Sequence, residues 1–398
     1  MFLLKLGARR QITYQCGRYQ PFLSHLNVLA KTELQQCPHD DTVADVFRKL
    51  PHSQLESLPT FMVRDLIRRK VLESSRLLDQ YYLIAIDGTG VYHFAQQHCP
   101  YCLTRKNSKT GEILYSHHVL EAKLVTPYGL ALSVATEFIE NAEEFDSSLS
   151  EEKRKQDCEL KAFKRLAPKL KSMFPQLKIC LLLDSLYATQ TVMAICKKYH
   201  WEVVINFKEG SIPSVYEEHT LMKQSQTQNT MRWHPSPDTS QHITWTNDIL
   251  YTKAKYRLAV IECTESINSP EKTTTTFVYL TTLNVTKDRV RALANQGGRK
   301  RWNIEDGFNT QKNRGYELEH VYCGDYNAIK CFYFCLQIAH IINQLFEKGS
   351  LTKELRKRLG SIKNLTHDLI IQMFTSTITT QLVNRLMVRS FQIRLDSS

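Results

Sequence analysis

Three acids and two bases in this chain have the types and spacing needed for phosphoryl transfer on a polyanion such as DNA. In the stretch RWNIEDGFNTQK, Arg301 stands four residues before Glu305, and Lys312 stands seven after it. Offsets of four and seven return to one helix face, so a guanidinium, a carboxylate and an ammonium would share a stripe. Asp87 ends the β-branched and aromatic run YYLIAIDGTG, and Asp184 ends the apolar run KICLLLDSLYA. In-line displacement at phosphorus develops charge on the attacking and leaving oxygens. Two divalent ions about 3.5–4 Å apart stabilise both, and carboxylates of the Asp87, Asp184 and Glu305 kind hold Mg2+ or Mn2+ for that purpose. One acid would bridge the ions and the others would each bind one. Arg301 would clasp phosphate through its fork, and Lys312 would act as a point charge. Taken singly, Asp87 before Gly88 is an ordinary turn cap and Glu305 beside Arg301 an ordinary solvated pair. Their conjunction is what points to chemistry.

A second cluster lies in HFAQQHCPYCLTRKNSKTGEILYSHHVL. His98, Cys99, Cys102, His117 and His118 could supply a tetrahedral zinc site, with Cys-x2-Cys as one half and Cys99, Cys102 and His117 as the favoured ligands. The alternative is a β-hairpin with surface polar histidines. Cys323, Cys331 and Cys335 sit among apolar residues at helical spacing and are expected in the core. Trp302, pointing away from the Arg301/Glu305/Lys312 stripe, is expected in the core, with base stacking as the alternative. Trp233 and Trp245 are left more open, as aromatics that could hold an unpaired base.

The elements that must position these groups follow from periodicity. Residues 1–78 form a helical, basic segment expected to bind DNA. Val43, Val46, Phe47 and Leu50 keep helical spacing after an Asp40 or Asp41 cap, and Arg64, Arg68, Arg69 and Lys70 offer a basic face, either solvated or DNA-binding. Strands are predicted at Tyr81–Ile86, Ile113–Val125 and Leu130–Ile139, then a helix over Asp157–Phe174. A buried strand at Lys178–Leu183, a helix at Ala188–Tyr199 and a strand at Glu202–Phe207 complete the series. Three strands, helix, strand, helix, strand is the order of a ribonuclease H-like α/β core, a mixed sheet with flanking helices. There the first and fourth strands are parallel neighbours, so Asp87 and Asp184 would emerge together at their carboxyl ends. This core occupies 79–210, with a hairpin insert at 95–118. Residues 211–286 read as a β-rich insertion before the last catalytic helix, 287–348 as the second part of the core with the Glu305 helix capped by Gly315, and 349–398 as a basic helical tail.

Bulk properties agree. A net charge of +12 and a pI near 9.1 over 398 residues suit an anionic polymer as partner. Eleven cysteines without a secretory leader, and the absence of any uninterrupted spanning-length apolar run, suggest free thiols in a reducing cytoplasm and no membrane.

These residues resemble a known family. Arg301-x3-Glu305-x6-Lys312, the IDGT at Ile86–Thr89 and the LLLDSLYA around Asp184 resemble the DDE-type insertion-sequence transposases that carry a Tyr-x2-Arg-x3-Glu-x6-Lys signature. The long gap before Glu305 is similar to that group's β-strand insertion, and the similarity covers about residues 35–348. It implies a ribonuclease H-like fold, Asp87, Asp184 and Glu305 as ligands of two Mg2+ ions, and cleavage at the element's ends. Joining of the 3′-hydroxyl to target DNA would follow. The implied partner is double-stranded DNA bound by a homodimer, in a bacterial cytoplasm at the nucleoid. Two features depart from the pattern. The signature tyrosine falls at position 298, where this chain has Gly298, and Tyr316 is the nearest candidate to supply its contact. Met1 opens inside the apolar stretch FLLKLGARRQ, read as helical, where relatives carry more upstream sequence, so a truncated copy or a misassigned start is expected. Two rivals remain: a non-catalytic DNA-binding remnant and a simple ribonuclease H-like nuclease.

Overall fold

The computed structural model describes residues 1–141, 157–268, 273–389 and 392–395. Among these residues, one mixed sheet holds ten strands. The strands are β1 (Tyr82–Phe94), β2 (Leu103–Lys106), β3 (Ile113–Val125), β4 (Ala131–Ile139), β5 (Ile179–Leu183), β6 (Glu202–Asn206), β7 (Thr230–Ser236), β8 (Thr239–Tyr251), β9 (Tyr256–Ile267) and β10 (Thr273–Thr281). The order is β2-β3-β1-β5-β6-β10-β9-β8-β7, with β4 also on β3 beyond the end of β2. β1–β5 and β5–β6 are parallel, and the other pairs are antiparallel.

Both faces of the middle strands are covered, which is why they read as near-continuous apolar runs. Alternate residues of β1 enter different cores: Ile84 and Ile86 pack with Leu132 and Phe163, whereas Leu83 and Ala85 pack with Ile304 and Phe308. Helices α1 (Arg9–Arg18), α2 (Gln20–Ala30), α3 (Asp40–Lys49) and α4 (Ser53–Arg68) precede the sheet. α5 (Glu159–Met173) and α6 (Gln190–Tyr199) flank β5, and α7 (Pro213–Ser225) follows β6. After β10 come the short α8 (Val290–Ala292), α9 (Trp302–Asn313) and α10 (Tyr326–Lys348), then α11 (Lys353–Leu359), α12 (Ile362–Thr375) and α13 (Thr380–Val388).

Several expectations need correction. β1 runs well past Ile86 because β3 keeps pairing with it as far as Phe94↔Tyr115. The β-rich stretch after residue 211 opens with a helix, α7, and its strands extend the central sheet. β10 pairs antiparallel with β6 through Tyr279↔Asn206 to Thr281↔Val204. The opening residues are not one helix. A 3-10 turn at Phe2–Leu4 ends at Lys5 and Gly7, both with positive φ, and α1 starts at Arg9. His39 caps α3, its Nδ1 accepting from the Asp41 N–H, while Asp40 is turned inward to the Thr13 hydroxyl and Arg9. The N-terminal helices meet the C-terminal ones: Tyr19 and Phe22 of the α1–α2 region pack on Phe374 of α12, and His25 Nδ1 lies 2.8 Å from the Met373 carbonyl.

α10 is long and apolar enough by composition to cross a membrane, yet 67% of its most apolar window is buried inside the protein, where it forms a core with Tyr92, Val119 and Tyr316. α9 approaches β3 and β4 closely because Gly307 has no side chain. A Cβ there would come within 3.2 Å of Ala131 and 3.5 Å of Lys123 Nζ. α9 ends as expected: Gly315, one residue past the Arg314 cap, has φ 84°, a left-handed conformation that glycine adopts without strain.

Candidate active site

β1 and β5 pair in parallel as far as Ala85↔Leu182. β5 stops at Leu183, and Asp184 follows as the cap of a 3-10 turn, its Oδ1 accepting from the Leu186 N–H at 2.8 Å. Asp87 lies two residues beyond the last β1–β5 pair, inside β1 and opposite Glu121 of β3. It is therefore at the end of the parallel ladder but not at a strand end. The Asp87 Oδ1 accepts from the Gly88 N–H at 3.0 Å.

Glu305 reaches the same neighbourhood from the first turn of α9. A π-helical stretch at Leu293–Gly297 and a 3-10 turn at Gly298–Arg301 lead into that helix. Arg301, only 6% exposed, bridges the two acids: Nη2 donates to Glu305 Oε1 at 2.5 Å, and Nη1 lies 3.5 Å from Asp87 Oδ2. Its Nε is buried without a partner. The guanidinium that the sequence assigns to phosphate is thus held by carboxylates.

A fourth acid joins them that the sequence did not single out. Glu159, the first residue of α5, accepts a hydrogen bond from the Tyr187 hydroxyl at 3.0 Å. Its carboxylate occupies the space a side chain at position 88 would need, since a Cβ on Gly88 would lie 2.3 Å from Glu159 Oε1. Only the tertiary packing of α5 on β1 brings them together. The available signal was Gly88 itself, which marks a close approach in the interior of a strand.

Burial pushes the Asp87 carboxyl up to about 7 against the pull of Arg301, with Glu159, Glu305 and Asp184 adding repulsion. Burial raises Glu159 as well, partly offset by the Tyr187 hydrogen bond and reinforced by Asp184. Four acids and one guanidinium leave negative charge in excess, and a cation among them would favour their ionised forms. The donors are all oxygen, the kind hard divalent ions take. The acids do not close into one tight ligand shell. Among the described residues, the only group with three or more His, Cys, Asp or Glu ligand atoms mutually within 4.8 Å is the histidine–cysteine cluster.

Lys312 lies farther along α9 and pairs with Glu319 at 2.7 Å, near His118. Trp302, expected in the core, is 52% exposed, because Ile304 and Phe308 take the buried face of α9. Its ring lies 5.1 Å from the Arg301 guanidinium carbon. Trp245 is buried against Ile261 and Leu283, whereas Trp233 is half-buried under Arg291, 4.4 Å away. Tyr316 cannot stand in for a residue at 298, since it is buried and its hydroxyl accepts from Asn343 on α10. The space beside Gly298 is filled by Tyr279 of β10, whose ring a Cβ would meet at 2.3 Å. Arg68 and Arg69 of the basic α4 face both pair with Asp65. Cys323 and Cys331 are buried as expected, and Cys335 is half-buried.

His98, Cys99, Cys102 and His117 come together at the far end of β1 and β3 and could hold a metal ion such as zinc. His118 is not in this group; it faces His93, and burial lowers its pKa. Compared with models of known protein families and with curated proteins, the chain matches none.

Proposed function

We propose that this chain is a DDE-type transposase, cutting DNA at the ends of a mobile element and joining the free 3′-hydroxyls to target DNA. The observation that carries this reading is that Arg301 joins Asp87 of β1 to Glu305 of α9, while Asp184, just past the end of β5, is near enough to add to the repulsion on Asp87. The sheet order β4-β3-β1-β5-β6 with a parallel β1–β5 pair supports assigning a ribonuclease H-like core. Asp87, Asp184 and Glu305 would hold Mg2+ or Mn2+, with Glu159 beside them. Bound ions would neutralise the charge on the attacking and leaving oxygens. Arg301 holds Asp87 and Glu305 together, and Lys312 reaches a phosphate by giving up Glu319. Trp302 offers an exposed aromatic face next to the acids. The proposed partner is double-stranded DNA, bound as a homodimer at a bacterial nucleoid. A second reading, a DNA-binding remnant without catalysis, is favoured by one observation: position 298, where the signature has tyrosine, is closed by Tyr279.

The test is a supercoiled plasmid carrying the gene's own flanking sequence, incubated with the full chain and Mg2+ or Mn2+. Nicked product bearing a 3′-hydroxyl, lost on chelation, is expected. Binding should weaken as salt rises, and Lys312→Ala should reduce the log–log slope by about one at most. Lys171→Ala should have less effect, because Lys171 is committed to the Pro175 carbonyl. Salt-dependent binding without nicking selects the remnant, and absence of binding sinks both readings.

Glu159→Gln tests the fourth acid. The amide can still accept from Tyr187, so the fold should hold, while cleavage should fall by about 10–100-fold, the scale of supporting groups around catalytic ions. The Mg2+ concentration for half-maximal rate should rise with it. Unchanged rate and Mg2+ dependence would reduce Glu159 to a packing partner of Gly88.

A further inference from the structure

The 95–118 insert is poorly equipped to hold its own shape. β2 has four residues, three of them exposed, and across from it Ile113 and Leu114 on β3 are 49% and 48% exposed. A strand this short, with Leu103 as its one buried residue, gives little stability. The proximal part is nonetheless densely ordered. Cys102 is 1% and His117 2% exposed, the Asn141 side chain donates to the Cys102 carbonyl at 2.9 Å, and the Cys102 N–H bonds the Cys99 carbonyl.

The spacing of the ligand atoms is the telling feature. Cys99 Sγ and Cys102 Sγ are 3.7 Å apart, and His117 Nε2 lies 3.3 Å from the first and 3.5 Å from the second. A disulfide would need about 2.05 Å between the sulfurs. Tetrahedral zinc, with Zn–S near 2.3 Å and Zn–N near 2.0–2.1 Å, requires edges of about 3.8 Å between sulfurs and about 3.6 Å between sulfur and nitrogen. The observed triangle matches those edges. His98 provides a fourth ligand atom within 4.8 Å of the others, and its Nδ1 is buried without a hydrogen-bond partner. Its ring is kept in place by stacking on Phe94 at 4.5 Å. Two thiolates and two imidazoles select zinc over the hard ions suited to carboxylates.

We infer that His98, Cys99, Cys102 and His117 form a structural zinc site that fastens the 95–118 hairpin to the outer end of β1 and β3 and to the start of α10. The α10 contact is direct: Tyr326 stacks on His117 at 4.5 Å and on Tyr101 at 5.0 Å, and its hydroxyl donates to Glu140. With four protein ligands the site is closed, so the ion takes no part in chemistry and leaves the acids around Asp87 to a separate metal. The fastened hairpin carries Arg105, Lys106 and Lys109 at its exposed tip. The site stands on its own geometry and does not depend on the function proposed above.

The experiment is metal analysis of the full chain purified without chelator or added metal, alongside Co2+ substitution. About one zinc per chain is expected, retained in Cys37→Ser and lost in Cys99→Ser/Cys102→Ser. The Co2+ form should show thiolate charge-transfer and strong tetrahedral d–d bands, weakened in Cys102→Ser. Because the double variant can misfold, His98→Ala provides a second arm: far-UV circular dichroism unchanged, zinc affinity at least about 10-fold weaker. Stripping zinc from the native chain should open 95–118 to protease. A Cys99–Cys102 disulfide in the freshly purified chain, a folded chain that neither contains nor takes up zinc, or zinc retained by the double variant would each overturn the inference.

Discussion

Asp87→Asn, Asp184→Asn and Glu305→Gln are each expected to abolish Mg2+-dependent DNA nicking, by at least about 100-fold, while DNA binding changes little. Each replacement keeps size and some hydrogen-bonding capacity but removes a negative charge from a site whose proposed work is to hold divalent ions. The lower bound comes from the outer partners of catalytic metals, whose loss alone costs about 10–100-fold, and a direct ligand must exceed it. Binding survives because phosphate contacts over a basic surface are made elsewhere. Single-turnover nicking and a fluorescence binding titration on the same preparations separate the two effects. Asp184→Asn should fold as well as the parent, since the amide oxygen can still accept from the Leu186 N–H, whereas Asp87→Asn and Glu305→Gln each leave the buried Arg301 with one carboxylate fewer and should cost some stability. A parallel fall in binding and in thermal stability for all three would mean that the acids are structural.

Arg301→Ala should be the most destabilising single substitution near the acids. The guanidinium is almost fully buried and meets Asp87 and Glu305 together. Removing one partner of a buried ion pair strands the other, at about 3–5 kcal/mol. The lower end, about 3 kcal/mol, is expected here because the Glu305 side chain is 36% exposed and the Asp87 contact is long at 3.5 Å. Arg301→Lys should recover only part of this, because a single ammonium cannot face two carboxylates with the geometry of the fork. Urea unfolding of parent, Ala and Lys forms measures both steps. Added Mg2+ should narrow the gap between parent and Ala variant, since an ion among the acids would replace the lost positive charge. A loss below about 1 kcal/mol, unchanged by Mg2+, would show that the carboxylates do not depend on Arg301.

Local sequence was sufficient wherever one segment answers to its own periodicity. The apolar run before Asp184 specifies a strand buried on both faces, Ile113–Val125 was legible to the residue, and RWNIEDGFNTQKNRG specifies a helix closed by Gly315. The Cys-x2-Cys pair likewise announced half of a cluster that could hold a metal ion. Periodicity states which side chains share a face but not what covers that face, and that decided the rest. Trp302 is exposed because Ile304 and Phe308 reach the core first. Arg301 is spent on Asp87 because α9 settles over β1, helped by Gly307 against Ala131. Glu159 enters the acid group only when α5 lies across Gly88, and Tyr279 closes position 298 only when β10 joins β6. His98 and His117 meet the two cysteines through the pairing of β1 with β3. Each of these is a contact between segments far apart in the chain, set by how whole faces pack, and no local pattern encodes the partner.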